Sequence, residues 1–119
     1  MLTGSHRLRI QHKVWLHAGS RFALGDGGVR LLRAIGTTGS VRAAADHVGW
    51  SYRHTLAYLV NAERAFGYRL VQRERGGHER GGARLTPEAR AFLARYTRFR
   101  QRLQREIQHL YRRQFQRET

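Results

Sequence analysis

The chain has 119 residues, of which 23 are lysine or arginine and 8 are aspartate or glutamate, giving a net charge of +15, and 40% of its residues are apolar. That length supports one compact core rather than two, and so large an uncompensated charge calls for a polyanionic partner. Cysteine is absent, which excludes a disulfide framework and a thiolate metal site. The opening MLTGSHRLRI lacks the apolar centre of a signal peptide, and no run reaches the length of a membrane span. The expectation is a cytoplasmic, nucleoid-associated protein without a membrane role. Almost all the cations are arginine, whose planar fork binds phosphate in a bidentate way and stacks on rings, so nucleic acid is the favoured partner.

Residues 1–27 read as an N-terminal β-hairpin. Alternation runs through Leu8, Ile10, Val14 and Leu16, breaks at Ala18-Gly19-Ser20, and resumes at Phe22 and Leu24. Residues 28–67 read as three helices. In the first, Leu31, Leu32 and Ile35 share one face, and Gly36 to Gly39 are expected to end it. Ser40 is placed to cap the second, VRAAADHV, which Gly49 stops. Ser51 is placed to cap the third, in which Leu56, Leu59, Val60, Ala62 and Phe66 form an apolar stripe that ends at Gly67.

Two short helices separated by Gly49 have the spacing of a helix-turn-helix, whose second helix enters the major groove of DNA. The N-terminal turns of that helix carry Ser51, Tyr52, Arg53 and His54. Arginine can fork onto guanine O6 and N7, whereas serine and tyrosine mostly reach phosphate. A plain reading stands beside this one: Ser51 caps, Tyr52 packs on Trp50, and Arg53 and His54 face solvent. In residues 68–86 two strand-like stretches flank a glycine-rich tip, as in a β-wing, with Arg73, Arg75, Arg80 and Arg84 supplying charge and His78 beside them. Gly76 and Gly81 are spaced as in a P-loop, but Gly82 and Ala83 stand where lysine and serine or threonine are required, so a nucleotide site is rejected. Ser40, Arg42 and Tyr58 complete the expected DNA-contacting set.

The run from Gly39 to Thr86 resembles the winged helix-turn-helix of LysR-type regulators, and more narrowly that of the molybdate-responsive ModE regulators. The LysR-like marks are Ser40, Ala43-Ala44, Ser51, and Glu63, Gly67, Leu70 and Arg73 at the family spacing. The ModE-like marks are Ser51-Tyr52-Arg53, the glycine-rich wing before Ala83-x-Leu85-Thr86, and the upstream hairpin leading into Gly25-x-Gly27 and Leu31-Leu32. The resemblance implies a dimeric bacterial or archaeal transcription factor, with Ser51 to His54 as groove contacts and Arg73 as a phosphate contact. The chain departs from the pattern at Leu56, where the family often has tryptophan, and at His78-Glu79-Arg80, which interrupt the glycine run. The 119 residues leave no room for the molybdate-binding domains that usually follow in ModE proteins, so no cofactor is expected and a separate effector-sensing partner is an open possibility.

Thr86, Pro87 and Glu88 form a strong helix start, and residues 87–117 read as one long helix. Phe92, Tyr96, Phe99, Leu103, Ile107 and Leu110 recur at spacings of three and four. Some 29 residues at ~1.5 Å each would extend about 43 Å, further than a small domain can cover, so the stripe is assigned to a homodimer interface. Folding back on its own domain and lying on an anionic membrane are the alternatives. The seven histidines show no metal-ligand spacing, the acids form no couple, and no serine sits in a nucleophile turn, so an enzyme is not expected. The fold class is therefore mainly α with a small β component: a winged helix-turn-helix with an N-terminal hairpin and a long dimerisation helix. The expected function is transcriptional regulation on a pseudo-palindromic duplex. A nucleoid-structuring protein with little sequence preference and, further off, an RNA-associated basic protein are the other readings.

Overall fold

A computed structural model of the chain describes residues 8–74 and 82–115. In chain order the elements are β1 (Trp15–Ala18), β2 (Arg21–Gly25), α1 (Asp26–Thr38), α2 (Val41–Val48), α3 (Tyr52–Phe66), β3 (Val71–Glu74), β4 (Gly82–Leu85) and α4 (Pro87–Phe115). The fold is a winged helix-turn-helix with a preceding hairpin and a long final helix. By its contacts the chain divides into two units, one of residues 13–95 and the other of residues 8–12 together with 96 onward.

In the larger unit, α1 and α2 pack together, α3 packs on β2 and on α2, and α1 meets β4. Leu24, Leu31, Leu32, Ile35, Leu70 and Val29 are the large side chains fully buried there. The helix boundaries follow from local chemistry. The Oγ of Ser40 accepts from Ala43 N–H, and that of Ser51 from His54 N–H, both at 3.0 Å. Each cap satisfies an otherwise unpaired N–H of the first turn, an arrangement worth about 1 kcal/mol. Gly39, Gly49 and Gly67 close α1, α2 and α3 in the left-handed region, with φ of 71°, 83° and 82°. Only glycine adopts that region without a steric penalty, and Gly49 thereby makes the tight turn between α2 and α3.

One boundary differs from the sequence expectation. The alternation that begins at Leu8 does not make a strand before Trp15, because Trp15 already pairs with Gly25 and the chain enters α1 at the next residue. No partner strand is left for the residues further upstream. α1 ends within the Gly36 to Gly39 stretch, as expected, with Gly39 as its cap, so Gly36 itself lies inside the helix. A Cβ at Gly36 would lie 3.1 Å from Leu85 Cδ1, tighter than an ordinary contact. This glycine admits a strand side chain against the helix; it does not break the helix.

The hairpin is fastened to α3 by Tyr58. Its hydroxyl accepts from Gly25 N–H at 3.2 Å, and its ring lies 5.0 Å from Trp50 and 6.0 Å from Phe22, centroid to centroid. Burial pushes the phenol pKa up, and the N–H donors of Gly25 and Gly28 pull it only partly back, so the hydroxyl stays neutral. At the other end of α3, Glu63 Oε2 accepts from Leu70 N–H at 2.8 Å and Val71 N–H at 3.1 Å, which ties the entry into β3 to the helix. Hydrogen bonds to a charged acceptor are about twice as strong as neutral ones. Thr86 then performs two tasks: its Oγ1 donates to Arg69 C=O at 2.8 Å and accepts from Ala89 N–H at 3.1 Å, capping α4 where β4 ends.

In the smaller unit the ring of His12 is held between two side chains of α4. Arg100 Nη1 lies 2.8 Å from its Nδ1, and Gln104 Oε1 lies 2.9 Å from its Nε2. Arginine can only donate and an amide oxygen only accept, so the pairing has Nδ1 accepting from Arg100 and Nε2 donating to Gln104.

The seat of Tyr58 leads to a stability prediction. A Cβ at Gly28 would collide with the Tyr58 hydroxyl and ring, whereas one at Gly27 would sit 3.4 Å from Trp50 Cζ2, an ordinary contact. Gly28→Ala is expected to lower the unfolding free energy by ~1–3 kcal/mol, the usual range for overpacking, and Gly27→Ala to change it little, both measured by urea titration. Equal effects at the two positions would show that the Tyr58 contact does not constrain this region.

Candidate nucleic-acid interface

The exposed end of α3 is set by its buried face. Thr55, Leu59 and Ala62 are buried, and Thr55 Oγ1 donates back to Ser51 C=O at 2.8 Å. Arg53 stands two residues before Thr55, hence on nearly the opposite side of a helix with 3.6 residues per turn, and it is exposed. His54 is exposed as well, although its ring makes an edge contact with Trp50 at 4.8 Å.

Tyr52, at the first position of α3, joins three elements. The guanidinium of Arg42, from the first turn of α2, lies 4.0 Å above the Tyr52 ring centroid. Arg73 Nη2, from β3, donates to the Tyr52 hydroxyl at 2.9 Å. A cation over an aromatic face at an exposed site is worth ~0.5–1 kcal/mol. Among the described residues neither Arg42 nor Arg73 has a carboxylate partner, whereas Arg69 pairs with Glu63 and Arg84 with Glu74. Two guanidinium groups with no ion-pair partner among the described residues are therefore held on one side chain, next to Arg53 in sequence and beside the first turn of α3, whose N–H groups and dipole carry partial positive charge.

The remaining residues expected from the sequence to contact DNA fall into distinct settings. Ser40 and Ser51 use their oxygens as helix caps, and each retains an O–H that can donate. Tyr58 has its hydroxyl bonded to Gly25 and its ring inside the aromatic cluster, so what it offers to solvent is limited. Arg84 on β4 pairs with Glu74 on β3 at 3.1 Å, an exposed contact of about 0–1 kcal/mol that leaves the guanidinium largely available. Arg75, His78 and Arg80 lie outside the described residues. Of the α4 stripe, Phe92 and Tyr96 are buried within the single chain, Phe92 with its ring 5.0 Å from Phe66. Their burial makes them intrachain core and not free surface. Leu103 and Ile107 are half-buried, while Phe99 is 49% and Leu110 54% exposed.

The sequence did not reveal the roles of Tyr58 and Glu63 in holding the helix, nor the seating of Arg42 and Arg73 on Tyr52. The signal for Glu63 was present in its spacing to Leu70, but the acceptor role depends on how the chain turns at Gly67. Among the described residues no group of histidines and acids could hold a metal, and no helix is long and apolar enough to cross a membrane.

Comparison with known proteins agrees with this geometry. The chain is 41% identical over 64 residues to the molybdenum transport protein ModE of Herbaspirillum seropedicae, over 54% of this chain and 24% of that protein. It is 40% identical over 68 residues to the molybdenum-pterin-binding protein MopB of Rhodobacter capsulatus, over 57% of this chain and 25% of that protein. The chain thus spans about a quarter of the length of either relative. The family model for bacterial regulatory helix-turn-helix proteins of the lysR family matches residues 28–90, which run from within α1 through α2, α3 and the strands β3 and β4 into α4; the chain belongs to that family.

Proposed function

We propose that the chain is a non-enzymatic transcriptional regulator that binds a pseudo-palindromic duplex as a homodimer, with α3 in the major groove and the wing on the sugar-phosphate backbone. The observation that carries this reading is the exposed N-terminal turn of α3. Arg53 points away from the core there, flanked by Arg42 and Arg73 on the neighbouring elements. Arg53 and His54 are the base-reading candidates. Arg42, Arg73 and Arg84, with the helix-capping Ser40 and Ser51, are assigned to phosphate, which carries no sequence information itself. The chain's charge of +15 suits a partner whose binding is driven largely by counterion release. Molybdenum, which figures in the names of both relatives, is not carried over, because the matches span about a quarter of each.

The dimer is assigned to the exposed part of the α4 stripe, Phe99 and Leu110 with the half-buried Leu103 and Ile107 between them. A two-fold axis would then present two copies of α3 to successive major-groove segments.

Two predictions test the reading. Arg53→Ala is expected to weaken binding to a selected duplex by ~1–3 kcal/mol and to relax preference at one base position, with much less effect on a scrambled duplex. Arg73→Ala should weaken both duplexes about equally and lower the slope of log K against log salt by about one. Salt titrations of both variants on both duplexes make the comparison, and an equal loss on the two duplexes for Arg53→Ala would remove that residue from base reading. For the dimer, Phe99→Glu with Leu110→Glu should give a monomer by sedimentation equilibrium and reduce affinity for the two-fold site, because the half-sites are no longer linked. A variant that stays dimeric would place the interface elsewhere.

A further inference from the structure

Tyr52 has a geometry that direct contact with DNA does not explain. Its ring face is covered by the Arg42 guanidinium at 4.0 Å, and its hydroxyl is engaged by Arg73 Nη2 at 2.9 Å. Both of its interacting surfaces are thus directed at cations, one from α2 and one from β3. Tyr52 itself is half-buried, while the two arginines are exposed.

We infer that Tyr52 is a positioning residue that joins Arg42 and Arg73 into one clamp for a phosphodiester of the DNA backbone. This inference rests on the DNA-binding reading above. Like charges brought together with no carboxylate in ion-pair contact among the described residues repel each other, and a phosphate placed between them relieves that repulsion while accepting from both forks. An arginine on a flexible stem loses rotamer freedom when it binds. One already stacked or hydrogen-bonded has lost much of it in the free protein, and that pre-organisation strengthens association. Tyr52 acts on the two arginines through different groups: the π face holds Arg42 and the hydroxyl holds Arg73. The two effects can therefore be removed separately. Because the clamp grips backbone, its contribution is independent of base sequence.

The test is a double-mutant cycle read as affinity for a duplex of unrelated sequence and for a selected one, with thermal melting as the check on folding. Tyr52→Phe keeps the ring under Arg42 and removes only the hydroxyl, so it is expected to weaken both duplexes equally, by roughly 2- to 10-fold, the scale of ordering one long side chain. In an Arg73→Ala background the same substitution should have no further effect, because the hydroxyl has lost the group it positions. Tyr52→Leu, which removes both supports, should weaken binding more than Tyr52→Phe does, and in a background lacking both arginines it should be silent. A Tyr52→Phe loss that persists undiminished in Arg73→Ala would mean that the hydroxyl touches DNA directly, and would overturn the clamp. So would a loss confined to the selected duplex, or one that tracks a fall in melting temperature. If the parent chain binds no duplex at all, the DNA-binding reading fails and the clamp falls with it, whereas additive losses in a chain that does bind overturn the clamp alone.

Discussion

The seat of one phenol fixes the rest of the molecule's working end. Tyr58 reaches from the middle of α3 to the backbone where β2 becomes α1, accepting from Gly25 N–H at 3.2 Å and lying so close to Gly28 that no side chain could stand there. The contact sets the rotation of α3 about its own axis. With Tyr58 turned into the hairpin and Thr55, Leu59 and Ala62 into the core, the period of 3.6 residues leaves Arg53 on the outward side. A helix free to roll would present different side chains at different times, and base reading requires a fixed set.

The opposite end of α3 is fixed by other chemistry. Glu63 takes two successive backbone N–H groups at the entrance to β3, so the first wing strand and α3 are joined by charge-assisted bonds and not by packing alone. Arg73 therefore sits on a strand whose start is tied to α3, and reaches back to the first residue of the same helix. Each arginine assigned to phosphate is held by a rigid element and, for Arg42 and Arg73, by an aromatic side chain as well. That is the arrangement expected where phosphate contacts set register and orientation and leave discrimination to a few base contacts.

Much of this was legible in the sequence. Ser40, Ser51, Thr86 and the glycines at 39, 49 and 67 mark helix ends by local rules, and those rules held because caps and left-handed turns involve only neighbouring residues. The hairpin was legible as a turn at Gly19, yet its start was misplaced, since alternation continues upstream of the point where a partner strand exists. The stretch Gly36 to Gly39 was read as the end of α1 and Gly39 does cap it, but Gly36 itself lies inside the helix, where it makes room for Leu85, 49 positions further along the chain but adjacent in space. The Arg42–Tyr52–Arg73 cluster was illegible for the same reason, being a product of three elements meeting. In the α4 stripe the spacing identified an apolar face without distinguishing Phe92, packed on Phe66 of its own chain, from the exposed Phe99 and Leu110.

The central claim is that α3 reads base sequence in duplex DNA from a two-fold assembly. Repeated selection of bound sites from a pool of random duplexes tests it most directly. The account predicts enrichment of an inverted repeat whose half-site centres lie about 10–10.5 base pairs apart or at a multiple of that spacing, as two recognition helices on one side of the duplex require. A pool that remains random after selection, while the chain still binds it tightly, would contradict the claim and leave a protein that grips the backbone without reading the sequence.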